Sequence, residues 1–217
     1  MDEDFKKNIL KTGTTILGIV CKDGVVMASD KKMTAGTLIM GKNMSKTVMI
    51  NDYTLMSFTG SVSDAQRMLK IVPAELKLKE LRARSRPTVS QVANLVSGIL
   101  YSGARQSGMI VGTLIGGFNP DGSTELYSIE PAGSALKIED YDANFSSGMP
   151  FVLGLLERQY KKGMGVKEGV ELAKEAIKSS TERDVGSGYG IDVFTITKEG
   201  IKKVVDQVIE PNFKDKQ

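Results

Sequence analysis

"LKTGTTILGIVCKDGVVMASDKK", residues 10–32, carries the clearest strand pattern near the start of the sequence. Two alternating apolar runs flank Lys22-Asp23-Gly24, and that pattern reads as a β-hairpin. The front end is less ordinary. A strand starts with Gly13-Thr14-Thr15 directly after a segment, "MDEDFKKNILKT", that looks unlike the rest. Through Gly13 the leader carries three acids and three bases, so its loss leaves the net charge of +3 unchanged. It reads as a dispensable piece.

The remaining pattern sets the fold class. Strands are expected at residues 47–50 and 53–59, followed by a long helical run from about residue 61. On that run Ala65, Met68, Leu69, Val72, Leu76 and Leu81 share a side. Pro73 inside it predicts a kink or break. A second helix begins at Thr88, with Gln91 three residues on as a capping box. Strands return at 109–118, 124–129 and 135–138, then helices at about 150–160 and 166–183. A final strand pair is expected at 191–197 and 201–205, before the polar tail "EPNFKDKQ". Tight turns between neighbouring strands call for antiparallel sheets. The order of strands, two helices, strands, two helices, strands suggests an α+β fold: two stacked sheets with helix pairs on both outer faces.

Composition excludes much. The chain has no histidine and a single cysteine, Cys21. Ser-His-Asp and Cys-His catalysis, HExxH zinc sites and thiolate clusters are therefore ruled out. No metal or other cofactor is expected. Cys21 sits at an apolar strand position and reads as a small buried hydrophobe. No run approaches the roughly 20 apolar residues of a membrane span. The N-terminus lacks the basic start and apolar stretch of a signal peptide. A cytoplasmic protein without membrane contact is expected. Arg82, Arg84 and Arg86 lack interleaved aromatics and read as a solvated helix end, so no nucleic-acid partner is expected.

Without histidine, a catalytic base must be a carboxylate, a lysine, a tyrosine or a free amino terminus. An α-amino group titrates near 7.7–8.0, against about 10.4 for lysine, so it suits neutral pH best. Gly13 offers an unshielded carbonyl just before the Thr14 hydroxyl. Cleavage between Gly13 and Thr14 would free a threonine whose own amine, through a water, takes the hydroxyl proton. Until then that amine is locked in an amide, so the chain would be made as an inactive precursor. A threonine opening a strand is otherwise simply a good β residue.

The run "GTTILGIVCKDGVVMASDKKMTAG", with Lys46 downstream, "FTGSVSDAQ", "SSGMPFVLGLLE" and "ERDVGSGYGIDV" closely resembles proteasome β subunits of the archaeal kind. The resemblance runs from Thr14 to about Val205. It implies the N-terminal nucleophile hydrolase fold, a four-layer αββα sandwich, and threonine endopeptidase activity. By the same resemblance, residues 1–13 are a propeptide removed by autoprocessing and 14–217 the catalytic domain. Thr14 matches the nucleophile, with Asp30 and Lys46 as the acid and lysine beside it. Gly60 matches the oxyanion-hole glycine, and Ser147, Asp184 and Ser187 the polar set that orients the amine. Read alone, Asp30 could cap a strand, Lys46 could be a solvated loop lysine and Gly60 a turn residue. The pattern departs at Ser146, where the family has glycine, and at Met149.

Substrate is expected to lie extended against the backbone of Thr34 and Gly60. By the same resemblance the pocket beside Thr14 is walled by Met33, Met44, Phe58 and Val62, which would favour large apolar residues before the cut; core packing is the alternative for these four. The resemblance also implies seven-membered β rings capped by α-subunit rings, with a regulatory ATPase feeding unfolded polypeptides through the α rings. A non-catalytic ring subunit is the alternative from another class, and the simpler bacterial two-ring protease of this fold the enzymatic one. The glycines at 186, 188 and 190 lie between a helix and a strand, the reverse of a phosphate-cradling loop, and a nucleotide-binding role is rejected.

Overall fold

The computed structural model describes residues 13–209. The segment read as a propeptide lies outside them except for Gly13, and the polar tail from residue 210 lies outside them altogether. Two five-stranded sheets form the centre. Sheet I has the order β10-β1-β2-β11-β12 and sheet II the order β5-β6-β7-β8-β9. In sheet I, β1 is Ile16–Cys21, β2 Gly24–Asp30, β10 Tyr141–Asp142, β11 Gly190–Thr197 and β12 Gly200–Val208. In sheet II, β5 is Thr47–Asn51, β6 Thr54–Gly60, β7 Val111–Phe118, β8 Thr124–Ile129 and β9 Ala135–Ile138. A separate ribbon pairs β3 (Met33–Ala35) with β4 (Leu38–Gly41). Every strand pairing among the described residues is antiparallel.

Among the described residues there are four helices: α1 (Val62–Ala83), α2 (Val89–Gln106), α3 (Met149–Gln159) and α4 (Val166–Arg183). Three apolar cores separate the layers. Ile16, Val25, Met27, Leu55, Leu114 and Ile196 fill the space between the sheets. Leu17, Ile19, Val26 and Ala28 turn the other way, against α3 and α4. On the far side, Met56, Phe58 and Val111 of sheet II meet Met68 and Val72 of α1 and Val92 and Val96 of α2. The result is the αββα sandwich.

The hairpin explains why the opening stretch is so apolar. All seven residues of β2 are buried, because it is an interior strand with a sheet on one face and helices on the other. The strand pair closes with Cys21 opposite Gly24 around Lys22-Asp23. Burial, with Asp23 and Glu168 nearby, pushes the Cys21 thiol up to about 12, so it stays protonated and unreactive.

Local signals differ from the structure in four places. Helix α1 runs unbroken through Pro73. Met68 and Val72 before the proline and Leu76 after it are all buried, and this packing offsets the roughly 3 kcal/mol that an interior proline costs. Burial on α1 stops at Leu76, so Leu81, expected on the same apolar side, is 63% exposed. Arg86 is not a solvated helix end. Its guanidinium carbon lies 4.2 Å from the Tyr53 ring centre and 4.6 Å from that of Phe118, and it donates to the Phe118 carbonyl. The short strands β3, β4 and β10 carry no alternating pattern and were not expected. On α3, Val152 and Leu156 are buried while Phe151 is 36% exposed. No helix among the described residues is long and apolar enough to cross a membrane.

Candidate active site

Thr14 and Thr15 lead directly into β1, and the β1–β2 register brings the end of β2 beside them. Ile16 pairs with Ser29, and the Asp30 amide donates to the Thr15 carbonyl at 3.1 Å. Asp30 is fully buried. One carboxylate oxygen accepts from the Thr15 amide at 2.8 Å and from Lys46 Nζ at 2.6 Å. The other accepts from the backbone amides of Lys32 and Gly188, each at 2.9 Å. Four donors thus hold one buried acid in place.

Lys46 stands just before β5, its side chain only 2% exposed. Its carbonyl accepts from the Phe58 amide at 3.0 Å, which fixes it to β6. Burial lowers the Lys46 pKa below the ordinary lysine value, against the opposing pull of Asp30 and, more weakly, Asp184; the charge of Lys32 adds to the lowering. A lysine so placed exchanges protons nearer neutral pH than a solvated one. It is not a solvated loop lysine, and Asp30 does more than end a strand.

On the other side of Thr14 lies a chain of hydroxyls. The Thr14 nitrogen, an amide while residue 13 is attached, donates to Ser147 Oγ at 2.9 Å. The Ser147 amide donates back to the Thr14 carbonyl at 3.0 Å. Ser147 Oγ lies 2.6 Å from Asp184 Oδ2, which also accepts from Ser187 Oγ at 2.6 Å. Ser187 Oγ in turn lies 2.6 Å from Thr15 Oγ1. Helix α4 ends at Arg183 and α3 begins at Met149, so the three residues come from loops at the ends of packed helices.

Thr14, Lys46 and Gly60 line one pocket, together with Met33, Thr34, Met44, Phe58 and Val62. Gly13 reaches the same place, its amide donating to Thr34 Oγ1 at 2.8 Å. Gly60 ends β6 with φ +91, and a Cβ there would lie 2.3 Å from the Ile110 carbonyl oxygen. Only glycine suits that position. All thirteen residues singled out by sequence therefore gather around Thr14: ten in the pocket or the Asp30 pair, three in the hydroxyl chain.

Two departures from the family pattern find ordinary places. Ser146 is buried, its Oγ accepting from the Ile16 amide at 3.1 Å and lying 3.0 Å from the Asn144 carbonyl, so it ties the loop to β1. Met149 packs against the core beneath α3 and α4. Thr15 and Lys32 carry site contacts that sequence reasoning missed. Neither residue type announces itself, since a threonine in a strand and a lysine in "DKK" are commonplace.

The family model described as proteasome subunit covers residues 10–196. The chain belongs to the proteasome subunit family. It is 42% identical over 193 residues to proteasome subunit beta of Nanoarchaeum equitans, covering 88% of this chain and 96% of that one. It is 39% identical over 203 residues to proteasome subunit beta of Methanopyrus kandleri, covering 93% and 95%. For proteasome subunit beta of Ferroglobus placidus the figures are 42% over 198 residues, covering 91% and 93%. The likeness is to β subunits throughout, within a family of threonine proteases, and the chain is an enzyme of that type.

Proposed function

We propose that Thr14 is the nucleophile of a threonine endopeptidase that matures by cutting its own Gly13-Thr14 bond. Residues 1–13 are then a propeptide and 14–217 the mature chain. The observation that carries this is the shared pocket of Thr14, Lys46 and Gly60, with Lys46 ion-paired to a buried Asp30. Keeping all three of Thr14, Asp30 and Lys46 speaks against a non-catalytic ring subunit.

Once residue 13 is gone, the Thr14 amine takes the Oγ proton through a water, and Oγ attacks the substrate carbonyl carbon. The Lys46 ammonium stabilises the developing alkoxide, and Asp30 holds that ammonium charged and in place. Negative charge collecting on the carbonyl oxygen faces the Gly60 N–H. Collapse breaks the C–N bond, the leaving nitrogen takes the proton, and an acyl ester on Thr14 remains for water to hydrolyse. Ser147, Asp184 and Ser187 orient the amine and its water. In the precursor the Thr14 nitrogen is an amide that donates to Ser147 and cannot serve as base. A solvent water takes the Oγ proton as Oγ attacks the Gly13 carbonyl carbon. The Gly13-Thr14 C–N bond breaks as that proton passes to the leaving nitrogen, and water then hydrolyses the ester on Thr14 Oγ to release residues 1–13.

Substrate lies extended along Thr34 and Gly60, recognised through its main chain, which suits many unfolded sequences. Met33, Met44, Phe58 and Val62 supply apolar walls and no carboxylate. Assembly follows the family: seven-membered β rings, α-subunit rings outside them and an ATPase acting through the α rings. A cytoplasmic setting suits a chain whose one cysteine is buried with a protonated thiol.

The test uses the particle assembled with its α subunits and short peptides that differ only before the cut. Leu, Phe and Tyr are expected to be favoured over Lys and Arg by at least about tenfold in kcat/KM, since an unpaired charge is costly to bury. Equal cleavage after basic residues would contradict the assignment of the pocket.

A further inference from the structure

We propose that Lys32 is a positioning residue that holds the hydroxyl chain against Thr14. The assignment rests on Thr14 being the nucleophile.

Lys32 spans the two halves of the site. Its backbone amide donates to Asp30, the partner of Lys46, at 2.9 Å. Its Nζ donates to the carbonyls of Val185 and Ser187, at 2.8 and 3.1 Å. Those carbonyls flank Gly186, whose amide donates to Asp184 Oδ1 at 3.0 Å. One ammonium therefore clasps the turn that carries both Asp184 and Ser187.

That turn needs a clasp. Gly188, Tyr189 and Gly190 all have left-handed φ, at 147, 61 and 154 degrees, and such a conformation is unfavourable for a tyrosine. Helix α4 has ended and β11 has not begun, so no regular ladder supports residues 184–189. Val185 itself is 78% exposed, so its side chain supplies no packing anchor. The turn is also tied by the Gly188 amide to Asp30, by the Lys31 amide to the Gly188 carbonyl, by the Ile209 amide to the Tyr189 carbonyl and by the hydroxyl contacts of Ser147 with Asp184 and of Thr15 with Ser187. Of these side-chain ties, only the Lys32 ammonium reaches the carbonyls of Val185 and Ser187. The Lys32 ammonium also lies 5.7 Å from the Tyr189 ring centre. A solvated lysine would gain nothing from this geometry; one that donates to two carbonyls of a strained turn fixes it.

Loss of the ammonium frees Ser187 and Asp184 to drift from Thr14 and Thr15. None of residues 184–190 lines the apolar pocket, so peptide binding should not change. The effect therefore falls on kcat and not on KM.

The experiment compares wild type, Lys32→Met, Lys32→Arg and Thr14→Ala, each co-assembled with the α subunits, on an apolar peptide. Rates are expressed per chain beginning at Thr14. Lys32→Met is expected to lose about 10- to 100-fold in kcat with KM within about twofold, a misplacement of the kind that carries such penalties. Lys32→Arg keeps donors that reach both carbonyls and is expected to recover to within about threefold of wild type. A kcat for Lys32→Met within about twofold of wild type, or an equal loss in Lys32→Arg, would overturn the assignment. Should Lys32→Met not assemble, Lys32→Gln is judged by the same criteria. Activity lost in Thr14→Ala but kept in Lys32→Met overturns the Lys32 role alone. Activity surviving in Thr14→Ala overturns the nucleophile and this role with it.

Discussion

Lys46→Met is expected to reduce kcat on the order of 10³-fold, within the range for losing a proton-transfer or charge-stabilising group. The substitution removes the ammonium that shares the pocket with Thr14 and leaves Asp30 buried without its cation. Breaking a buried pair in this way typically costs about 3–5 kcal/mol of stability. Here the amides of Thr15, Lys32 and Gly188 still donate to Asp30, which places the loss toward the lower end. Activity and stability can be separated. The double variant Asp30→Asn with Lys46→Met removes both charges and should regain part of the stability, measured by denaturant unfolding, while remaining inactive. The new amide NH2 must face the Thr15 N–H, which keeps the recovery incomplete. A double variant that regained activity would show that Lys46 only shapes the site.

The second large effect is expected at Gly60. In Gly60→Ala the new methyl would sit 2.3 Å from the Ile110 carbonyl oxygen, at a φ of +91 that alanine resists. The backbone must shift, and with it the N–H assigned to the oxyanion. A loss of about 10²–10³ in kcat follows from displacing one such donor. The strain itself is worth about 1–3 kcal/mol. The oxyanion contact forms only on the way through the transition state and its loss falls on kcat, while the shifted Gly60 backbone, which also pairs with substrate, is expected to raise KM. A kcat within about threefold of wild type would remove Gly60 from the oxyanion role.

The elements easiest to read were those whose local signals agree with their surroundings. The β1–β2 hairpin announces itself because both faces of each strand are buried and a polar pair turns the corner. Helix α2 begins where Thr88 and Gln91 form their reciprocal cap. Pro73 does not break α1, because packing on both sides of it outweighs one lost hydrogen bond. Strand β4 hides because Leu38, Ile39 and Met40 are all exposed, which no alternating pattern predicts.

The site was legible in a different way. The absence of histidine pointed toward an amino-terminal base, and the unusual leader pointed to Thr14. Asp30 and Lys46 gave no sign from residue type alone; they meet because β2 ends beside the residue that precedes β5. Ser147 touches Thr14 across 133 residues of chain and Asp184 across 37, distances at which no local rule operates. Only the family resemblance reached them. Thr15 and Lys32 lay beyond both routes, since their roles depend on which hydroxyls, carbonyls and amides the fold brings within reach.

The most direct measurement is intact mass with N-terminal sequencing of the chain purified from particles assembled with α subunits, beside a Thr14→Ala control. Wild-type chains are expected to begin at Thr14 and Thr14→Ala chains to keep residues 1–13. Wild-type chains that retain those residues in fully assembled particles would mean that Thr14 never gains a free amine, and would contradict its assignment as the nucleophile.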